Sequence, residues 1–434
     1  MAKISSKDLT ELVQAGILPQ QTAQQILEYY QQKEGVTTNR LFVVFAILGA
    51  LLVGLGIILI VAHNWDDYSR GTKTALSFLP LIIGQAACLY TMLKLNENIA
   101  WREASAAFLV AAVGASISLI SQVYHIPGNL EGFLLTWMLL ILPVIYLMRS
   151  TMAWLLYLVG ITCYAFTNTY VFSYSSSNYT YWLMLLAALP FYYHNLKRKS
   201  ESNFVLFQNW ALPVSVFLAF ISIITIYSEL LALICSSFFG LCYLAGTMPY
   251  FEKRKAEFNA YKALGMIGTI GTLLVLSSKW YWQNLQRQHW EGVQVLSSPE
   301  GVAAIITTVA GAALLLYKTQ KLKAYHDWFQ YVFIVFVFIF LTGFTTVILS
   351  AVAINLLVLA ISIFFIRKGE TENHLGILNF GLVVVAALVA FRFFDTDLTF
   401  IARGLLFLGV GAGFFVANYR LLKKRNTHHT NPQV

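Results

Sequence analysis

The sequence predicts an all-α fold, a polytopic transmembrane helical bundle with about fourteen spans, within a range of roughly twelve to fourteen, and a short N-terminal cytoplasmic helical hairpin. Three observations predict it. Of 434 residues, 58% are hydrophobic and only 11% charged, against about 25% charged in a soluble domain. The apolar residues form long runs without a polar stripe, which suits helices facing lipid rather than water. The basic residues gather in short stretches between alternate runs, as cytoplasmic loops do.

The first 40 residues are polar and lack the apolar segment and small-residue cleavage site of a signal peptide. They read as two helices. One starts at Ser6, an N-cap residue, and buries Leu9, Leu12 and Val13; a break at Ile17-Leu18-Pro19 precedes a second that buries Ala23, Ile26, Leu27 and Tyr30. The pair either lies on the bundle surface or docks a partner helix.

A helix rising about 1.5 Å per residue needs about 20 apolar residues to cross the hydrocarbon core. Runs that meet this are 41–62, 75–94, 104–124, 133–148, 152–172, 181–194, 204–226, 229–247, 261–278, 299–317, 328–344, 345–366, 376–391 and 398–421. The stretches 204–247 and 328–366 are each too long for one helix in a bilayer about 30 Å thick, so each holds two. With the N-terminus inside, all but six of the 29 Lys and Arg fall on the cytoplasmic side; the six are Arg70, Lys73, Lys279, Arg287, Arg392 and Arg403. Shifting or losing one span scrambles that asymmetry. The organisation is therefore a hairpin at 1–40, a first four-span membrane unit at 41–150, the remaining spans at 151–421 and a basic cytoplasmic tail at 422–434. Both termini are expected in the cytoplasm.

Small residues at helix-contact spacing (Ala46, Ala50 and Gly54; Gly265, Gly268 and Gly271; Gly409 and Gly413) let backbones approach closely, within the bundle or across a homo-oligomer face. Cys88, Cys163, Cys235 and Cys242 sit within apolar runs without metal-binding or redox spacing.

The acidic residues all lie in the hairpin, in loops or near span ends, which argues against a buried carboxylate relay. Three polar groups stand out. The third run carries Ser118, Ser121, Gln122 and His125 at helical spacing, continuing a stripe of Ala111, Gly114 and Ala115. Such a face meets protein or water, not lipid. It forms either a close interhelical seam bonded to Gln85, with Pro127 and Gly128 making the turn, or the lining of an outward-opening polar cavity in which His125 titrates or binds a ligand. A second, outer cluster is His63, Asn64, Trp65 and Asp66, read as headgroup anchoring and helix capping or as a partner to the His125 loop. The third is an ion-pair turn of Arg392, Asp395 and Arg403, read as a structural network or as an anion site.

No nucleotide-binding loop, catalytic triad, metalloprotease helix or paired carboxylates occurs, so no catalytic residue, metal or cofactor is assigned. Expected partners are the lipid bilayer, a small-molecule or lipid substrate, and a homo-oligomer or membrane partner, with no role for nucleic acid. Three functions fit: a transporter or lipid-handling protein using the polar cavity, a non-enzymatic sensor or assembly partner docking others through the hairpin, and an intramembrane enzyme with His125 as base.

The pattern Leu9-x-x-Leu12-Val13-x-x-Gly16-Ile17-Leu18, with Ala23, Ile26 and Tyr30, leads into a span ending His63-Asn64-Trp65-Asp66. With Ser121-Gln122-Val123-Tyr124-His125-Ile126-Pro127-Gly128 and Leu135-x-Trp137, it resembles the bacterial membrane family catalogued as domain of unknown function two-one-five-seven, over residues 9–150. The resemblance implies a bacterial inner-membrane protein and carries over no activity, substrate or catalytic residue.

Overall fold

A computed structural model describes residues 13, 15–16, 18–25, 65–167, 179–198, 202–224, 226–252, 259–290, 292–322 and 327–393, with single positions between 401 and 415. Among them every regular element is a helix. Two compact units divide the chain, Met1–Leu76 and Ser77–Val434.

In the first unit, Gly16 has a left-handed φ of +68° just before the predicted break, and a helical turn follows Pro19 in which Ala23 is buried. The remainder of the predicted hairpin and the whole of run 41–62 lie outside the described residues. A turn begins at Trp65, where Tyr68 N donates to Trp65 O at 3.3 Å, and the Lys73 ammonium donates to Asp66 O at 3.4 Å.

Helix α1 (Arg70–Lys94) runs into the second unit and is followed there by α2 (Ile99–Tyr124), α3 (Leu130–Met148), α4 (Thr151–Thr167), α5 (Tyr179–Arg198), α6 (Asn203–Ser222) and α7 (Leu230–Gly246). After a single turn at Pro249–Glu252 come α8 (Ala260–Leu276), two short helices α9 (Lys279–Arg287) and α10 (Gly292–Ser297), then α11 (Pro299–Tyr317), α12 (Val332–Gly343), α13 (Val347–Thr371) and α14 (Leu375–Phe393). Each apolar run from the second to the thirteenth holds one main helix. Among the described residues, seven helices are long and apolar enough to cross a membrane, and eight if α8 and α9, bent by 75° at their junction, form one broken span.

Local chemistry sets the ends. Asn98 and Asn129 cap α2 and α3, their side-chain oxygens accepting from Trp101 N and Gly132 N at 3.2 and 2.9 Å. Helix α2 stops at His125, which is left-handed at φ 53°; Ile126 N bonds Ser121 O and His125 N bonds Gln122 O. That pairing is a Schellman motif with His in the position Gly usually holds, followed by the helix-ending Pro127. Glu103, buried near the start of α2, caps a different helix: its carboxylate accepts from Ser150 Oγ at 2.6 Å and from Thr151 N and Met152 N at 3.1 and 2.8 Å. A negative charge is favourable at these first N–H groups of α4.

Apolar burial drives no helix association within lipid, so packing depends on close approach and on hydrogen bonds between helices. Any Cβ on Gly265 would collide with the Tyr243 backbone, and one on Gly268 with the Phe239 ring, so both glycines are used within the chain to seat α8 on α7. Gly271 faces open space. Gly369 and Gly381 serve the contact of α13 with α14 in the same way. Ser215 on α6 joins Thr162 of α4 at 2.6 Å and Tyr181 of α5 at 2.8 Å, and Ser237 of α7 joins Thr308 of α11 at 2.8 Å. One apolar core centres on Ile141, Trp154 and Tyr157, and another on Leu273, Trp282, Phe336 and Ile354.

Candidate functional site

The polar face of α2 opens onto a cleft between α1, α2 and α3 with a volume of about 980 Å³. Its polar lining is Gln85 from α1, Ser116, Ser118, Ser121 and Gln122 from α2, Asn129 from the turn and Thr136 from α3. Phe78, Leu81, Val113, Ile117, Phe133 and Leu140 supply much of the apolar wall.

The sequence shapes this space through two kinds of contact. Gly114 lets the Trp137 indole lie across α2, where an added Cβ would sit 2.5 Å from the ring, and Trp137 Nε1 donates to Val110 O at 2.8 Å. This pins α3 to α2. Ser116 Oγ donates to Ser77 O at 2.7 Å, and Gly84 lies where a Cβ would stand 3.2 Å from Leu109, which together pin α1 to α2. Beyond Ser116, the stripe residues Ser118, Ser121 and Gln122 line the cleft. Ser121 Oγ donates to Ile126 O at 3.0 Å, which ties the end of α2 to the turn at the cleft mouth.

His125 lies outside the lining. It is exposed, and its backbone forms the helix-ending turn described above. Of the second group, Trp65 and Asp66 form the turn before α1, while His63 and Asn64 lie outside the described residues. Of the third, Asp395 and Arg403 also lie outside them. Arg392 on α14 donates from Nη2 to Ser277 Oγ at 3.1 Å, and Asn355 on α13 donates to Ser277 O at 2.9 Å, so Ser277 at the end of α8 gathers both helices.

One constellation is absent from the sequence reading, which counted its lysines as loop charges. Lys318, only 2% exposed, donates to Thr247 Oγ1 at 2.9 Å and to Gln330 Oε1 at 3.1 Å. Asp327, also buried, accepts from the Tyr243 phenol and the Lys368 ammonium, each at 3.0 Å. A π-helical turn, Lys318–Leu322, extends α11 and turns Lys318 inward. The available signal was Asp327 itself, the one acid in the basic stretch between runs 299–317 and 328–344.

Among the described residues, no three His, Cys, Asp or Glu side chains converge as a metal site would require. Cys88, Cys235 and Cys242 are buried free thiols, and Cys163 is an exposed one.

Residues 10–154 match the family model described as Predicted membrane protein (DUF2157), which covers the segment where the sequence resemblance was read. No curated protein and no solved structure matches the chain. The family match and the apolar helices agree on a multi-pass membrane protein.

Proposed function

We propose that this membrane protein takes a lipid or lipid-like amphiphile into the cleft between α1, α2 and α3 and hands it on across or within the bilayer. The cleft's mixed lining carries the reading. A space of about 980 Å³ lies at the upper end of common ligand-pocket volumes, about 300–1,000 Å³. A stripe of hydroxyls and amides on α2 faces apolar walls from α1 and α3. A polar head would accept or donate hydrogen bonds along the stripe while its chain lies on Phe78, Leu81 and Phe133. An aqueous solute would leave these apolar walls wet, at a cost of about 25 cal/mol per Å².

In this reading the chain has fourteen spans with both termini in the cytoplasm of a bacterial cell, which places the end of α2 and the cleft mouth on the outer side. Support comes from the single main helix in each of the second to thirteenth runs and from the segregation of Lys and Arg.

Photo-crosslinking tests the cleft. A diazirine-bearing phospholipid incubated with the full-length protein in membranes should label peptides from α1 to α3, and Thr136→Trp, which fills the cleft, should suppress that labelling. Labelling confined to other helices, or undiminished in Thr136→Trp protein with an unaltered thermal midpoint, would reject the proposal. Orientation is tested by single cysteines in a Cys-free background: a membrane-impermeant maleimide on intact spheroplasts should label Trp280→Cys and leave Lys197→Cys unlabelled until the membrane is opened.

A further inference from the structure

We infer that a second cavity, between α7, α8, α13 and α14, binds the phosphate ester of an acidic glycerophospholipid. The cavity measures about 320 Å³ and is lined by Tyr243, Asn259, Lys262, Ala263, Met266, Ile267, Phe365, Lys368, Ile377 and Phe380. Its described lining includes two lysines and no acidic residue. Asp327 does not line it; the aspartate lies behind, bonded to Tyr243 and Lys368. The Lys368 ammonium has three donor positions, one of which reaches Asp327 at 3.0 Å, and it sits 5.5 Å from the Phe364 ring centroid. The Lys262 ammonium is bonded to no other group among the described residues.

The backbone at the α7–α8 corner of the site is held at several points. Asn259 donates to Gly246 O at 2.7 Å and to Phe251 O at 3.2 Å, and accepts from Lys262 N at 3.1 Å. Gly246 packs directly against the Lys262 backbone with no room for a Cβ. The Lys262 backbone is therefore fixed at the corner between α7 and α8, and Lys262 lines the cavity. A lysine anchored beside a cavity can reach an anion there with a charge-assisted hydrogen bond.

The opposite wall favours a lipid over free phosphate. Met266, Ile267, Ile377 and Phe380 continue from the lysines along the helices, and Ile267 is 58% exposed on the outside of the bundle. A phosphate on the lysines would lead its glycerol and acyl chains along that wall. The volume is about ten times the share of one water in the liquid, which suits a headgroup and glycerol with the chains outside. Basic pockets between transmembrane helices recognise acidic headgroups by this combination.

The test uses the full-length protein in detergent, titrated with dioctanoyl-phosphatidylglycerol while its thermal midpoint is followed. The midpoint should rise saturably, and dioctanoyl-phosphatidylcholine and inorganic phosphate should not raise it. Lys262→Gln and the cavity-filling Met266→Trp should each weaken the apparent affinity by about tenfold, equivalent to about 1.4 kcal/mol. Lys262→Arg should keep it, as should Lys94→Gln, which removes a surface lysine. Thr136→Trp in the other cleft should also leave it unchanged, so that the two proposals fail separately. Equal stabilisation by inorganic phosphate would assign the lysines to free phosphate and overturn the lipid reading. An unchanged affinity in both Lys262→Gln and Met266→Trp, or an equal loss in Lys94→Gln, would overturn the site.

Discussion

Asp327 anchors a polar cluster within the helices. Its carboxylate accepts from Tyr243 and Lys368 within one cluster that also buries the Lys318 ammonium. Asp327→Asn keeps the size and removes the charge, leaving Lys368 without its ion-pair partner. Breaking a fully buried pair from one side costs about 3–5 kcal/mol; with Lys368 20% exposed, the thermal midpoint in detergent should fall by less than that full cost implies, and Asp327→Asn combined with Lys368→Met should recover part of the loss. Glu103 makes a comparable prediction at α4. Glu103→Ala strands Ser150 Oγ and two backbone N–H groups, at about 1–3 kcal/mol for each buried group left unbonded. Hydrogen exchange should then quicken at the first turn of α4 before the rest of that helix.

At the level of helices, backbone approach is the controlling variable. Gly265 meets the Tyr243 backbone, which cannot rotate away as a side chain tip could. Gly265→Ala should therefore cost about 1–3 kcal/mol by overpacking, whereas Gly271→Ala, in open space, should be neutral or slightly stabilising; parallel thermal melts compare them directly. Trp137→Phe removes the bond to Val110 O and should lower stability by about 1 kcal/mol. Such elements were largely legible in advance. Run 299–317 coincides with α11 to the residue, and run 75–94 ends where α1 ends, because apolar length and flanking Lys, Asn and Ser are local signals. Run 328–344 is less regular: its first residues, Trp328–Tyr331, form a 3₁₀ turn, begun where the Asp327 side chain accepts from Phe329 N. The polar stripe on α2 was also visible as spacing. A cavity beside it was one of two readings, and spacing could not choose between cavity and close seam, since that width depends on where Trp137 and Ser77 hold the neighbouring helices.

Across the whole molecule, sequence patterns identify what is near in the chain and miss what is near only in space. Charge segregation gives sidedness because it sums over loops. That sum took Lys318 for a loop charge: Lys318 contacts Thr247 across 71 residues, and its charge alone does not distinguish it from Lys321. His125 shows the converse, a conspicuous side chain in a conspicuous motif whose described structural work is done by its backbone.

The spacing of the Asp327 cluster along the chain also fixes an order of assembly. Tyr243 leaves the ribosome 84 residues ahead of Asp327, and Lys368 follows Asp327 by another 41. At a synthesis rate of about 5–20 residues per second, the aspartate waits about 2–8 s for its ammonium partner. During that interval the carboxylate is best left hydrated at the membrane surface, while α7 and α8, whose close contact at Gly265 and Gly268 does not involve Asp327, are free to associate. Emergence of α13 then closes the arrangement, so a nascent chain arrested before Lys368 should present the segment around Asp327 to added protease and lose that sensitivity once α13 has been made.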